Sequence, residues 1–525
     1  MISSGLLERP GAWRAAGIAA ILGLAAAAPA VLVVPLAGGG LDVRQLLDSA
    51  FPASLGRSLV VAGAVGAASL VAGLSAGLAA ALFEFPLRRL LLAALALPLL
   101  VPSFLWAIGL SMLRIEAGLL RGGPFWGAGG CVVSFAAVGV PLVCYTVFAA
   151  ARSISRSQVN AARLAGGDRA VLAYAARNTL PAAALAALLA AVLSLADPGP
   201  GQILGYSGAA TQILTSFSAL YDFDLAAVQC LVLGGVVLAL VGPMAWWGAD
   251  RLSVHLLAGD VEPAPPRHNP VISAAGPALL GALVGVLILV PLAGLAWPAA
   301  RGLMVRRALQ EVVRTAGDTL FYGAAAAAVA VVLAGLLAVC AGRDRRLRRL
   351  LLAGLLVLFA LPPSLSALGL ARLGTLAPPE LDALLRSRMT VGWALGVRFL
   401  PVAAVLLLRS VGSFSPSWAS AAAMHGVGLA RYLAKVLLPM MAPAAAVAAV
   451  LVALLATAEV GTVLLLQPPG AASLTVAIFT VMANAPESLV ATLCLLYVAG
   501  AAAGLTAVWA ALLRRAASPE GEGRR

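Results

Sequence analysis

Lysine is almost missing from this 525-residue chain: Lys435 is the only one among 35 basic residues, the rest being arginine. A phosphate-binding P-loop needs its lysine behind a Gly-rich turn. Lys435 sits in RYLAKVLLP, which has no such turn, so the chain carries no Walker A site. Charge of any kind is scarce, at 11% against 62% hydrophobic residues, with a mean hydropathy of +1.01. Ordinary soluble domains carry about 25% charge. That contrast excludes a water-soluble globule and intrinsic disorder alike. The three histidines, His255, His268 and His425, are scattered, and five cysteines form no CxxC pair. No metal-ligand cluster or catalytic triad can be assembled from such a set, so neither a metal site nor an enzyme is expected. The cysteines all lie in apolar segments and read as small buried hydrophobes.

What is present is apolar sequence in long runs. A membrane-spanning helix needs about 20 apolar residues, and twelve candidate spans can be counted, at about 14–36, 58–83, 90–112, 127–150, 181–197, 225–248, 272–297, 319–341, 350–372, 391–412, 440–463 and 489–513. The expected fold class is an all-α polytopic membrane protein. The first run exceeds the h-region of a signal peptide and reads as a retained helix. With the N-terminus inside, the inner segments hold 23 basic and 9 acidic residues, and the outer segments 12 of each. The positive-inside rule selects this orientation, with both termini cytoplasmic. Topology and anionic headgroups then account for the net charge of +14, and no nucleic-acid partner is needed. Trp106, Trp126, Trp297 and Trp393 lie near span ends and read as interfacial anchors.

The chain also repeats itself. LRRLLLA occurs at Leu87–Ala93 and again at Leu347–Ala353, an offset of 260. The same offset pairs Pro102 with Pro362, Gly109 with Gly369, Pro141 with Pro401, and Gly166 with Gly426. Two halves of six spans each are expected, 1–250 and 271–525, inserted in the same orientation about an axis along the membrane normal. The polar, Pro-rich segment 251–270 joins them as an extended cytoplasmic linker.

Two inner loops carry a pattern beyond hydropathy. They read NAARLAGGDRAVLAYAARNTLP (Asn160–Pro181) and SAAAMHGVGLARYLAKVLLP (Ser420–Pro439). Each begins Ala-rich, is broken by Gly, resumes as a basic amphipathic helix and ends at a Pro that opens the next span. Small side chains leave a knob-like surface that a partner's groove can accept. These loops resemble the EAA motif of ATP-binding cassette importer permeases, whose coupling helices dock into separate ATPase subunits. The matching residues are Asn160, Ala161, Ala162 and Gly166 in the first copy, and Ser420, Ala421, Ala422 and Gly426 in the second. Both copies lack the family's Glu, replaced by Asn160 and Ser420, and Leu180–Pro181 comes two residues late.

The segments LADPGPGQILGYSGAATQI (Leu195–Ile213) and AEVGTVLLLQPPGAASLTVAIFT (Ala458–Thr480) resemble fused ferric-iron-type permeases. That subfamily neighbours the thiamine, aminoethylphosphonate and polyamine importers. The resemblance implies a bacterial inner-membrane transport subunit with two ATPase partners that bind the ATP, a periplasmic solute-binding protein at the outer face and surrounding lipid. It implies ferric iron first among solutes. Asp197 and Glu459 occupy equivalent Ala-acid-x-Gly turns. An ionisable group at membrane depth is a functional candidate, although a carboxylate at a turn can equally cap loop N–H groups. Arg398 can line the path or extend to the interface. Outer-loop Asp222, Asp224 and Glu487 are candidates for meeting the solute-binding protein. The reading from another class is a proton-coupled secondary transporter, which also has two six-helix halves but needs carboxylates within its spans.

Overall fold

The computed structural model describes residues 12–33, 43–117, 125–257, 264–376 and 378–517. The middle of the expected linker, 258–263, and both chain ends lie outside these residues. The described chain is almost wholly helical. Its long helices are α1 (Ala12–Val31), α2 (Phe51–Leu82), α3 (Arg88–Ala96), α4 (Ser103–Ala117), α5 (Phe125–Arg152), α6 (Arg156–Ala196) and α7 (Phe223–Leu257). They continue with α8 (Pro270–Arg301), α9 (Val305–Ala341), α10 (Arg345–Ala360), α11 (Pro363–Leu376), α12 (Arg388–Ser413), α13 (Leu438–Ala458) and α14 (Glu487–Ala517). Among the described residues ten helices are long and apolar enough to cross a membrane, or up to twelve if each of two bent pairs is one span. The chain is therefore an all-α, multi-pass membrane protein.

The bent pairs replace two spans that hydropathy reads as continuous, 90–112 and 350–372. The helix ending at Leu100 and α4 meet at 101°, and α10 and α11 at 86°. The cause is proline. Val101 before Pro102 and Leu361 before Pro362 are both extended, with ψ of 130° and 140°. Proline disfavours the helical region for the residue that precedes it.

Small residues set the packing. On α2, Gly73 and Gly77 let the helix press against Val143, Cys144 and Val147 of α5. On α12, Gly392 and Gly396 do the same against Ala325 and Val329 of α9. This is the small-xxx-small spacing that brings helices close where lipid offers no hydrophobic drive. Helix α6 completes a trio with α2 and α5, and α13 one with α9 and α12. Helices α1 and α8 cross over: α1 packs on α9 and α11, and α8 on α4 and α14. Both crossings are backbone-tight. A Cβ on Gly109 would fall on the Pro291 carbonyl oxygen, and one on Gly369 on that of Ala28.

Several local readings change. Helix α7 continues to Leu257, past the expected start of the linker at 251. The linker's far end is extended, and Arg267 and His268 pair in parallel with Phe83 and Glu84. Trp106 is fully buried in the core rather than an interfacial anchor. Trp393 is partly buried, while Trp297 is 50% exposed; the side chain of Trp126 lies outside the described set. Four cysteines are buried and Cys340 is partly so; none is in a disulfide.

Candidate functional site

The two bends and the ends of α6 and α13 converge on one cavity of about 220 Å³. Pro102, Ser103 and Phe104 enter from one break and Phe359, Pro363 and Ser364 from the other. Asp197 and Glu459 reach it from corresponding positions. Each is the extended residue that ends a long helix, with ψ of 115° and 124°. Each is followed by a short helix, Gly199–Leu204 or Gly461–Leu466. Gly205 and Gly470, both with positive φ, then turn the chain into a second short helix, Ala209–Ser218 or Leu474–Val481.

The two acids are held differently. Asp197 accepts the Gly199 N–H at 2.8 Å through Oδ1 and the Ser103 hydroxyl through Oδ2. It therefore caps a turn and faces the cavity at once, with neutral donors only. Glu459 receives Nε of Arg398 at 3.3 Å. The same guanidinium donates Nη1 to the Leu361 carbonyl at 3.0 Å, an acceptor freed by the helix break. Arg398 is thus turned into the cavity wall and does not extend to an interface; its side chain is 12% exposed. The position 260 residues earlier is Val138, which also lines the cavity, so the arginine is on one side only. Phe104 and Phe479 meet edge-to-face across the cavity, with centroids 5.4 Å apart. Among the described residues no group of three His, Cys, Asp or Glu side chains can hold a metal ion.

The second feature is the pair of loops. Each opens on a serine N-cap: Ser155 accepts the Gln158 N–H, in a capping box, and Ser415 that of Ser417. Asn160 and Ala161 are exposed, whereas Ala162 packs inward. Ser420 and Ala421 are half-buried, and Ala422 packs on the core. In the second loop Val427 donates to the Ala422 carbonyl at 2.9 Å around Gly426, whose φ is 67°. This is a Schellman closure, with glycine in the left-handed position. In the first loop the motif residue Gly166 has φ −174°, and its neighbour Gly167 takes the positive φ, 66° with ψ −155°, a conformation open essentially to glycine alone. That moves the turn one residue along and goes with the later Leu–Pro.

Sequence reading missed the residues at the loop tips. Leu164 is 91% exposed and Met424 82% exposed, and they are 260 residues apart. Only the repeat offset, applied to apolar residues inside the loops, would have singled them out. Of the acids expected to meet a solute-binding protein, Asp222 accepts from Gln45 at 2.9 Å and caps Leu225, Asp224 pairs with Arg372 at 3.9 Å, and Glu487 is exposed at the start of α14.

Fold and site together define a multi-pass helical membrane protein with a charged cavity between two broken helices. Comparison with protein-family models, with curated proteins and with solved structures finds no match for this chain.

Proposed function

We propose that the chain is the membrane-spanning subunit of an ATP-driven solute importer of the bacterial inner membrane, built as two six-span halves that share one translocation path. The observation that carries this reading is a mechanical connection. Past its break at Gly166 and Gly167, α6 runs unbroken from the first exposed loop to Asp197 in the cavity. The helical run Leu429–Ala458 joins the second loop to Glu459 in the same way. About 30 helical residues at 1.5 Å each make a rod of about 45 Å. A push on either loop is therefore delivered to an acid on the path. Leu164 and Met424 are exposed apolar knobs of the kind a partner's groove takes, and the exposed basic residues Arg169, Arg431 and Lys435 follow them along the two loops.

In this mechanism two ATPase subunits bind ATP, close, and draw the loops together, so that the halves rock about the cavity. A solute-binding protein loads the opposite face. No bond is made or broken by this chain, and hydrolysis belongs to the partners. Two carboxylates against one guanidinium favour a cationic cargo. The family resemblance puts ferric iron first, with thiamine, aminoethylphosphonate or polyamine as the alternative.

The test is ATPase activity in proteoliposomes holding the chain, a candidate ATPase and a candidate binding protein. Leu164→Arg and Met424→Arg should each lower binding-protein-stimulated hydrolysis by about tenfold or more, the scale of losing a buried apolar anchor, with thermal stability unchanged. Uptake that follows a proton gradient, with no associated ATPase, would overturn the proposal in favour of a secondary transporter.

A further inference from the structure

The seam between α7 and α10 holds a cluster that the importer reading does not use. Trp246 and Asp250 stand one turn apart on α7 and face Arg345 and Arg349, one turn apart on α10. Arg345 makes a two-pronged pair with Asp250 at 2.9 and 3.2 Å. Arg349 lies over the Trp246 ring at 4.2 Å, and within electrostatic range of Asp250. Beside them Arg251 lies over Trp247 at 4.0 Å. Arg345 and Arg349 thus share one carboxylate, and Arg251 adds a third guanidinium on its own ring partner, so positive charge is in surplus.

We propose that this seam binds the phosphate of an anionic phospholipid headgroup, with Arg251 and Arg349 as its principal donors. Stacking on an aromatic face occupies the flat side of a guanidinium and leaves its in-plane N–H groups to meet an oxyanion. Nε of Arg349 is buried and has no partner. The two tryptophans are 47% and 45% exposed, at the end of an apolar helix. Half-exposed tryptophans at that position mark the headgroup level of a bilayer. The neighbouring Leu350, 50% exposed, offers an apolar surface beside the site for an acyl chain. A soluble anion would leave the exposed parts of the two tryptophans and Leu350 unused, whereas a lipid covers them while its phosphate meets the surplus positive charge. The site is separate from the loops and the cavity, so it stands whether or not the chain is an importer.

The probe is phosphatidylglycerol, compared with phosphatidylcholine, titrated onto the purified full chain in detergent and read by native mass spectrometry. The wild type should retain phosphatidylglycerol preferentially. Arg251→Gln and Arg349→Gln should each weaken that retention about fivefold, with the melting temperature in phosphatidylcholine micelles unchanged. Asp250→Asn should strengthen it, because it removes the only carboxylate paired in the cluster. The proposal is overturned if the double arginine variant keeps the preference, or if Asp250→Asn lowers it in a folded protein. It is equally overturned if millimolar inorganic phosphate displaces the lipid, which would make the site one for a soluble anion.

Discussion

Arg398 shows how one side chain can bind an irregular backbone together. The bend between α10 and α11 leaves the Leu361 carbonyl without a helical donor, and a bare carbonyl inside a membrane protein costs several kcal/mol. Arg398 supplies that donor and at the same time neutralises Glu459. Removing one partner of a buried pair is worse than removing both, because the survivor is left as an uncompensated charge. Arg398→Met should lower stability by about 2–3 kcal/mol, at the low end for buried pairs since both groups retain some solvent. Adding Glu459→Gln should restore a substantial part. Thermal denaturation of the two single variants and the double variant checks this, and equal losses in Arg398→Met and the double variant would show that the ion pair is not the cause.

Among the elements, the two loop hairpins depend on a backbone conformation that only glycine adopts cheaply. Gly167 and Gly426 have φ near +66° and no neighbour that a methyl group would strike. The penalty for Ala there is conformational, about 1 kcal/mol. Gly428, at φ −64° with equally open surroundings, is the control. Gly167→Ala and Gly426→Ala should speed hydrogen–deuterium exchange through the adjoining helices, while Gly428→Ala should slow it or leave it unchanged. Faster exchange in all three would mean that loop flexibility, not the positive-φ glycine, governs the hairpin.

For the molecule as a whole, the crossing of α1 and α8 matters most. Residues near the start of the chain pack on α9 and α11, and residues after the linker pack on α4 and α14. Neither stretch of sequence closes its own core, so separating 1–250 from 271–525 would leave two helices without their packing surfaces. The crossings rest on Gly109 and Gly369, where backbone meets backbone. Gly369→Leu should cost at least the 1–3 kcal/mol typical of overpacking, because the obstacle is a carbonyl rather than a side chain. A lowered melting temperature with weaker association of co-expressed residues 1–250 and 271–525 would bear this out. Undisturbed association would place the contact outside the energetic core.

Much of this architecture was legible in the linear chain. Hydropathy marks the helices because a helix that meets lipid must be apolar over some 20 consecutive residues, a purely local condition. The offset of 260 marks Gly109 with Gly369 and the paired loops, and the Ala-acid-x-Gly turns mark Asp197 and Glu459. Contacts between distant segments are not written locally. Arg398 finds Glu459 across 61 residues and Leu361 across 37, and hydropathy is the same whether it does so or extends to the headgroups. Trp106 looks like an interfacial residue by position but is buried once α4 folds back at its bend. Leu164 and Met424 are ordinary apolar residues in the sequence, and become knobs only because the Gly turns hold them at the hairpin tips. Composition and local pattern thus determined the helices and the loops, because lipid and backbone strain act residue by residue. Which helices cross, where the acids meet and what the loops present were decided by packing, because those energies depend on groups that the chain order keeps apart.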